Sequence, residues 1–276
     1  MPLTYLYVPG DRPDRFAKAL VSGADVVIVD LEDAVAAEHK EQARATVAEW
    51  LPDAPPGAVE VRVNALGTPW AEADLAALED QPSLRAVRLP KVEAAADVVT
   101  ALDRLAATGT KLQCLIETAR GVEAAYQIAT ASARVAGIGL GEADLRGDLG
   151  LSDDAGLSYA RSRIVVAARA AGLEPPVMSV YPHVADLAGL AESCRAGRRL
   201  GFVGRGAIHP RQLPVIRSAF RPSTAEVAGA RELLSAFDQG VAAGRGVIVL
   251  ADGRMVDAAM VSRARQIIEL AALAAT

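Results

Sequence analysis

Short apolar runs recur along the chain, and each is followed by a longer segment whose apolar residues return at helical spacing. The runs lie at 4–8, 25–31, 59–63, 86–89, 111–116, 135–140, 177–180 and 204–208, and the last is the weakest. Near-continuous hydrophobicity over so few residues is typical of parallel strands, because helices cover both faces of such a sheet. The pattern therefore predicts repeated β-then-α units.

The segments between the runs are Ala-rich and amphipathic. Apolar residues fall on one stripe within residues 34–50 and again within residues 98–105. Eight β–α units in a chain of 276 residues predict a TIM (β/α)8 barrel, with a doubly wound open sheet as the alternative. We expect residues 1–221 to form the barrel and residues 222–276 to form a C-terminal helical extension, which begins with a helix at 224–238.

Charged residues follow the predicted strands at the end where a TIM barrel carries its active site. Asp30, Glu32 and Asp33 close the second run, and Arg62 belongs to the third. Three carboxylates at the mouth of a barrel need compensating charge, and either Arg62 or a bound metal would supply it. The alternative is that these charges only solvate the rim of the barrel.

Glu117 and Asp144 follow the fifth and sixth runs, so they would lie on neighbouring strand ends. Two carboxylates so placed repel each other unless a cation lies between them. Mg²⁺ is the expected cation, because it takes hard oxygen ligands and keeps several waters. The histidines are dispersed and offer zinc or iron no cluster. His209 is expected either to bond to the backbone or to act as a base.

A second group of charges surrounds the start of the first predicted helix. Arg12, Arg15 and Lys18 would suit a phosphate group there, with Tyr7 placed to hold a flat or apolar part of the ligand. A solvated basic surface is the alternative. In the tail, Asp257 precedes an apolar-periodic segment and is expected to cap the last helix.

Composition narrows the classes of protein. The net charge is −5 with acids and bases mixed along the chain, which argues against a nucleic-acid-binding surface. Cys114 and Cys194 lack metal-site spacing and are expected to be reduced thiols of a cytoplasmic protein. The sequence shows neither the pattern of a signal peptide nor the apolar stretch of about 20 residues that a membrane helix needs.

Eight motifs, taken in order, carry a resemblance to a known family. They are YLYVPGDRPDRF, VIVDLEDAV, VRVNALG, LPKVE, LIETARG, GEADLRGDLG, GFVGRGAIHPRQL and GRMVDAAM, and they span the length of the chain. Together they resemble the citrate lyase β-subunit-like family of the HpcH/HpaI aldolase superfamily, which includes malyl-CoA and citramalyl-CoA lyases. The resemblance implies a TIM barrel that assembles into homotrimers or hexamers.

The resemblance also implies roles for individual residues. Glu117 and Asp144 would hold Mg²⁺, and Glu117 would also face the substrate. Arg62 would contact the carbonyl or carboxylate of the substrate. Asp257 would act as the acid and base of catalysis, contributed by the C-terminal extension to the site of a neighbouring subunit.

Two further sets of residues take supporting roles in this resemblance. Glu32 and Asp33 would order Arg62 or the water around the metal without binding the metal themselves. The first loop would bind coenzyme A through Tyr7, Arg12, Arg15 and Lys18.

The chain departs from the family pattern at three points. Many relatives have Glu-Asp-Leu in the metal loop, whereas here Glu142 and Asp144 are separated by an alanine, which leaves the role of the glutamate open. Ala34 stands where relatives often have glycine. Tyr181 lacks the neighbouring acidic residue that is expected after the seventh strand.

These roles imply a Mg²⁺-dependent carbon–carbon lyase. It would reversibly cleave a 3-hydroxyacyl-CoA, such as malyl-CoA or citramalyl-CoA, into an acyl-CoA and a 2-oxo acid. The alternatives are a citrate lyase β subunit acting on an acyl-carrier-protein thioester, a CoA-independent metal-dependent aldolase, and a non-catalytic protein on the same barrel. The sequence leaves open which acyl group and oxo acid are used, and whether thioester hydrolysis follows.

Overall fold

A computed structural model describes residues 1–79, 81–105, 109–244, 248–249 and 255–273. The chain divides into two compact units. The larger unit is Pro2–Ala219, and the smaller consists of Phe220–Thr276 together with Met1.

The larger unit is built on a seven-stranded, all-parallel sheet in the order β6-β5-β4-β3-β2-β1-β7. Its strands are β1 Thr4–Pro9, β2 Val26–Asp30, β3 Val59–Arg62, β4 Leu84–Leu89, β5 Leu112–Ile116, β6 Val135–Leu140 and β7 Arg205–Ala207. Each strand overlaps a predicted apolar run. The strands follow one another in chain order from β1 to β6, without the reversal at a switch point that defines a doubly wound sheet. The α/β class with a parallel sheet is therefore confirmed, and the doubly wound alternative is wrong.

Helices connect these strands, and further helices follow the last strand of the sheet. They are α1 Phe16–Leu20, α2 Lys40–Trp50, α3 Ala71–Ala77, α4 Ala95–Arg104, α5 Ala119–Glu123, α6 Ala125–Ala129, α7 Glu142–Leu149, α8 Ser158–Ala170, α9 Leu187–Leu200, α10 Leu213–Phe220, α11 Thr224–Ala242 and α12 Ala258–Leu273. Short 3₁₀ turns occur at Pro13–Arg15, Ala37–His39, Leu51–Asp53, Asp154–Leu157 and Pro210–Gln212. Among the described residues, no helix is long and apolar enough to span a membrane.

Residues 177–180, predicted as the seventh strand, contribute only a single parallel bridge, between Met178 and Arg205. Pro175, Pro176 and Pro182 flank this run and cannot donate to a ladder, which limits its pairing. In the described part of the chain no ladder joins 177–180 to β6, so the sheet is not closed into the predicted eight-stranded barrel by backbone pairing.

The smaller unit packs α11 and α12 against two short strands. These are β8, Ile248–Val249, and β9, Met255–Val256, which pair in antiparallel fashion. Leu233, Val256 and Val261 lie in its apolar cluster. Asp257 accepts a hydrogen bond from the backbone N–H of Met260 at 2.8 Å, so its predicted helix cap is confirmed. Part of the motif GRMVDAAM lies outside the described residues.

Candidate active site

The C-terminal ends of the strands surround a cavity of about 330 Å³ in the larger unit. Its lining includes six residues that the sequence singled out: Tyr7, Asp30, Asp33, Arg62, Glu117 and Asp144. These residues come from β1, β2 and β3 and from the segments that follow β2, β5 and β6. The volume lies at the lower end of the range for ligand pockets. This cavity is the candidate active site.

Arg62 holds the acidic side chains that follow β2. Its Nε and Nη2 donate to the two carboxylate oxygens of Asp30 at 2.7 and 2.6 Å. Its Nη1 donates to Asp33 at 3.1 Å and lies 3.0 Å from Oε2 of Glu32, where it forms an ion pair without hydrogen-bond geometry. The ring of Tyr7 lies 5.2 Å from the guanidinium carbon. Arg62 therefore supplies the compensating charge that these acids were expected to need.

Lys91 supplies a positive charge to the acidic residues at the edge of the cavity. Its Nζ donates to Glu32 at 2.7 Å and lies 3.3 Å from Oδ2 of Asp144. Among the described residues other than glycine, only Lys91 has a positive φ, at 54°, a conformation that is uncommon for such residues. Its backbone N–H donates to Oε2 of Glu117 at 3.2 Å. One residue thus contacts three of the carboxyl groups around the cavity.

Glu117 lies in a nearly dry position. Its exposed fraction is 3%. Burial, together with the negative charges of Glu32 and Asp144, raises the pKa of its carboxyl group to about 8. Gly141 faces it from the end of β6, and a Cβ at position 141 would overlap the Glu117 carboxylate. A cation beside this group would relieve the penalty of burying its charge.

Asp144 is carried by the first turn of α7, and a buried ion pair holds that turn in place. Glu142, at the start of α7, accepts two hydrogen bonds from Arg161 of α8, at 2.8 and 2.7 Å. A third Arg161 nitrogen donates to Asp154 at 3.0 Å. This gives Glu142 a role that the sequence left open: it anchors the segment that presents Asp144, which itself is 46% exposed.

The residues in and around the cavity include more acids than bases. Five carboxyl groups, those of Asp30, Glu32, Asp33, Glu117 and Asp144, are contacted by two cationic residues, Arg62 and Lys91, while the lining residue Arg88 is paired with Glu60. Such an excess of negative charge favours a bound cation. Within the described ranges, no group of three or more His, Cys, Asp or Glu residues could hold a metal. Glu117 and Asp144, completed by water or substrate oxygens, fit Mg²⁺.

The basic residues of the first loop do not line this cavity. Arg12 forms an ion pair with Asp14 at 3.0 Å, and Arg15 and Lys18 are exposed. Their contact with coenzyme A stays a prediction. Asp257 belongs to the smaller unit, and its catalytic role likewise stays a prediction.

The structure confirms the expectation for His209, after the eighth run, but not the one for Tyr181, after the seventh. His209 accepts a hydrogen bond from the backbone N–H of Arg211 at 3.1 Å, so the expected backbone bond is confirmed. Tyr181 was expected to lack an acidic neighbour, which is wrong, because its hydroxyl donates to Asp186 at 2.7 Å. Asp186 also caps α9, so this acid serves the loop after residues 177–180.

Sequence reasoning missed Lys40, a buried lysine that anchors the acidic loop from behind. Its Nζ donates to the backbone carbonyls of Leu31 and Glu32 at 3.0 and 2.9 Å and to the side chain of Asn64 at 2.7 Å. Asn64 in turn donates to Asp74 at 2.6 Å. All three ammonium protons are thereby used. No local pattern marks Lys40, because its partners lie 8 to 24 residues away.

Comparison with known proteins identifies the family. The model of the HpcH/HpaI aldolase/citrate lyase family matches residues 3–210. The chain belongs to this family. The resemblance seen in the ordered motifs is therefore confirmed.

Relatives are similar to the chain over nearly its whole length. A citrate lyase subunit beta from Leuconostoc mesenteroides subsp. cremoris is 35% identical, and the match covers 97% of the chain and 92% of that protein. An L-malyl-CoA/beta-methylmalyl-CoA lyase from Cereibacter sphaeroides is 34% identical, with 96% and 93% covered.

A solved structure shares the fold across the same length. It is protein CitE from Mycobacterium tuberculosis in complex with magnesium, acetoacetate and coenzyme A. The TM-score is 0.83 at 37% identity, and the match covers 98% of each chain.

Proposed function

We propose that this member of the family is a Mg²⁺-dependent carbon–carbon lyase that reversibly cleaves a 3-hydroxyacyl-CoA, such as malyl-CoA or citramalyl-CoA, into an acyl-CoA and a 2-oxo acid. The observation that carries the proposal is the meeting of Glu117 and Asp144 beside Arg62 in one cavity. The names of the relatives, and the magnesium and coenzyme A of the solved CitE structure, support the same activity.

Glu117 and Asp144 are the residues that would hold the metal. When bound, Mg²⁺ supplies a Lewis acid that lowers the pKa of the substrate hydroxyl and polarises the carbonyl formed from it. Cleavage releases the hydroxyl proton to water and breaks the carbon–carbon bond, which leaves the acyl half as a thioester enolate whose negative charge needs a nearby cation. Arg62 meets that need through Nη1, because one of its two acidic partners, Asp33, is exposed and can yield to a substrate oxygen.

The enolate carbon then needs a proton to become an acyl-CoA. Asp257 is our candidate donor, and in the condensation direction it would remove the same proton. It would act in the site of a neighbouring subunit, within a homotrimer or hexamer. The basic residues Arg12, Arg15 and Lys18 would hold the phosphates of coenzyme A, and Tyr7 keeps Arg62 in place while contacting the acyl end.

Closure of the barrel and the role of the smaller unit are also part of the proposal. We infer that the parallel sheet closes into a (β/α)8 barrel when residues 177–180 approach β6. A contact already spans that gap, because the backbone N–H of Glu142 lies 3.4 Å from the hydroxyl oxygen of Ser179 and donates to it. The smaller unit would be the extension that contributes to a neighbouring site.

The activity is tested by following acetyl-CoA and 2-oxo acid released from malyl-CoA and citramalyl-CoA. We expect release with Mg²⁺, loss of release with EDTA, and a fall in turnover of about 10²–10³ in Asp144→Ala. Asp103→Ala removes an exposed aspartate of α4 and should leave turnover unchanged. If Asp144→Ala in EDTA turned over substrate as fast as the wild type does in Mg²⁺, the proposal would be refuted.

The same assay separates the two roles of Asp257. Asparagine caps helices as well as aspartate does, so Asp257→Asn keeps the cap of α12 and removes the proton donor. We expect turnover to fall by about 10²–10⁴ without a change in thermal stability. Unchanged turnover would leave Asp257 with its capping role alone.

The alternatives differ in what carries the acyl group. A CoA-independent aldolase would cleave free hydroxy acids and would not bind coenzyme A, whereas a citrate lyase β subunit would need an acyl-carrier-protein thioester. Isothermal titration of the protein with coenzyme A distinguishes the first alternative, and comparing the two thioesters as substrates distinguishes the second.

A further inference from the structure

Below the metal-binding carboxylates, the cavity continues into the interior of the sheet. Leu115 and Gly139 line it two residues before Glu117 and Gly141 on the same strands, a step of roughly 7 Å toward the strand N-termini. The interior of a TIM-type barrel is ordinarily filled by layers of side chains. Here this layer is left partly open.

Three glycines alternate along β6 and face the neighbouring side chains of β5. At Gly137 and Gly141 a Cβ would overlap Gln113 and Glu117, so those side chains already fill the space. At Gly139 the nearest atom to a Cβ would be Cδ2 of Leu115, at an ordinary contact distance of 3.5 Å. The missing side chain at Gly139 therefore leaves free volume, and open volume in a core is destabilising unless something fills it.

The walls of this lower part are apolar. Tyr5 and Ile28 form a buried cluster against which Val177 packs, and Leu115 of β5 also lines this part of the cavity. The one charged group that lines the layer, Arg88, directs both Nε and Nη2 to Oε2 of Glu60, at 3.0 and 2.6 Å. That ion pair compensates itself, so the layer offers an incoming group hydrocarbon contact and little free charge.

We propose that this layer, the lower pocket formed by Tyr5, Ile28, Leu115, Gly139 and Val177, is a binding site for an aliphatic substituent on the 2-oxo acid half of the substrate. The inference rests on the proposed function, which places the oxo acid at the metal held by Glu117 and Asp144. An acid held there by its two oxygen-bearing carbons has one remaining substituent, and the lower pocket takes it. The chain therefore prefers 2-oxo acids with two or more aliphatic carbons beyond the carbonyl.

The test measures binding of glyoxylate, pyruvate, 2-oxobutyrate, 2-oxoisovalerate and 2-oxoglutarate by isothermal titration of the wild-type protein in excess Mg²⁺. Burial of each added carbon is worth up to about fourfold in affinity. We expect the affinity to rise from glyoxylate to 2-oxobutyrate and to hold or rise for 2-oxoisovalerate. Affinity that is flat or falls after glyoxylate would overturn the proposal, as would tighter binding of 2-oxoglutarate than of 2-oxobutyrate, since that result assigns the layer to a second carboxylate.

Gly139→Ala tests the location of the pocket. Its φ is compatible with alanine and the new methyl group fits beside Leu115, so the variant should fold. We expect about tenfold weaker binding of 2-oxobutyrate and a change of less than about twofold for glyoxylate. Gly229→Ala, on an open face of α11, is the matched control and should change neither. Equal weakening of both acids in Gly139→Ala would overturn the assignment.

The outcomes separate this inference from the function on which it rests. Binding of glyoxylate without a gain for longer acids refutes the lower pocket and leaves the lyase proposal standing. Failure of every 2-oxo acid to bind in Mg²⁺ refutes both.

Discussion

At the scale of residues, the main feature of the site is an excess of carboxyl groups over the cationic residues that contact them. Arg62 and Lys91 together contact five carboxyl groups, and each is itself held by backbone or ring contacts. Lys40 stabilises the same loop through its carbonyls rather than through its carboxylates. The electrostatic cost is greatest at Glu117, because its carboxyl group is buried beside other acids.

Glu117 should make the metal-free protein less stable as pH rises. Its pKa is about 8 in the folded protein against an ordinary value of 4.5, so the folded state holds the proton more tightly than the unfolded state does. The resulting stabilisation is fully present below about pH 4.5 and is lost as pH rises through 8. Between pH 5.5 and 8 the loss is roughly 3 kcal/mol.

Thermal unfolding in EDTA across that pH range measures this effect. Glu117→Gln keeps the shape of the side chain but cannot titrate, so its Tm should fall less than that of the wild type, and adding Mg²⁺ should remove the difference. Parallel Tm curves for the two proteins would show that Glu117 titrates normally.

At the scale of elements, the pairing of β5 with β6 sets the position of the two carboxylates that we propose as metal ligands. Glu117 and Asp144 come from consecutive β–α units, and the glycines of β6 leave space for the side chains of β5. Gly141 matters most, because any side chain there would displace the Glu117 carboxylate.

Gly141→Ala should therefore weaken Mg²⁺ binding by tenfold or more, as measured by isothermal titration. Gly147→Ala is the control: it lies in α7 next to the same site, nothing lies within 4 Å of its Cβ position, and alanine favours a helix. Circular dichroism would confirm that both variants are folded. If Gly141→Ala binds Mg²⁺ as tightly as Gly147→Ala, the carboxylate is not held where the structure shows it.

The strands could be predicted from the sequence because each is a short apolar run whose two faces are both buried. Their order, and the convergence of Arg62 with the acids of β2, followed from the rule that parallel strands end at one edge. The pairing failure of residues 177–180 could not be predicted from hydrophobicity, since it depends on the flanking prolines and on β6. Nor could the pair between Glu142 and Arg161, whose partners lie 19 residues apart on different helices.

At the scale of the whole molecule, the candidate site and the proposed proton donor lie in different units. The larger unit carries the cavity, the proposed metal ligands Glu117 and Asp144, and Arg62, and the smaller unit carries Asp257. Relatives share both units, because their similarity extends over 96% or more of the chain. The proposed reaction needs both units: the larger unit would hold the cation, and the smaller unit would supply the proton donor.

Anomalous diffraction from crystals grown with Mn²⁺ in place of Mg²⁺ is the most direct test of whether a divalent cation binds at Glu117 and Asp144. The account predicts a single strong peak in the cavity, within about 2.3 Å of one oxygen of Glu117 and one of Asp144. A well-ordered cavity in which those oxygens point apart and only water lies between them would contradict it.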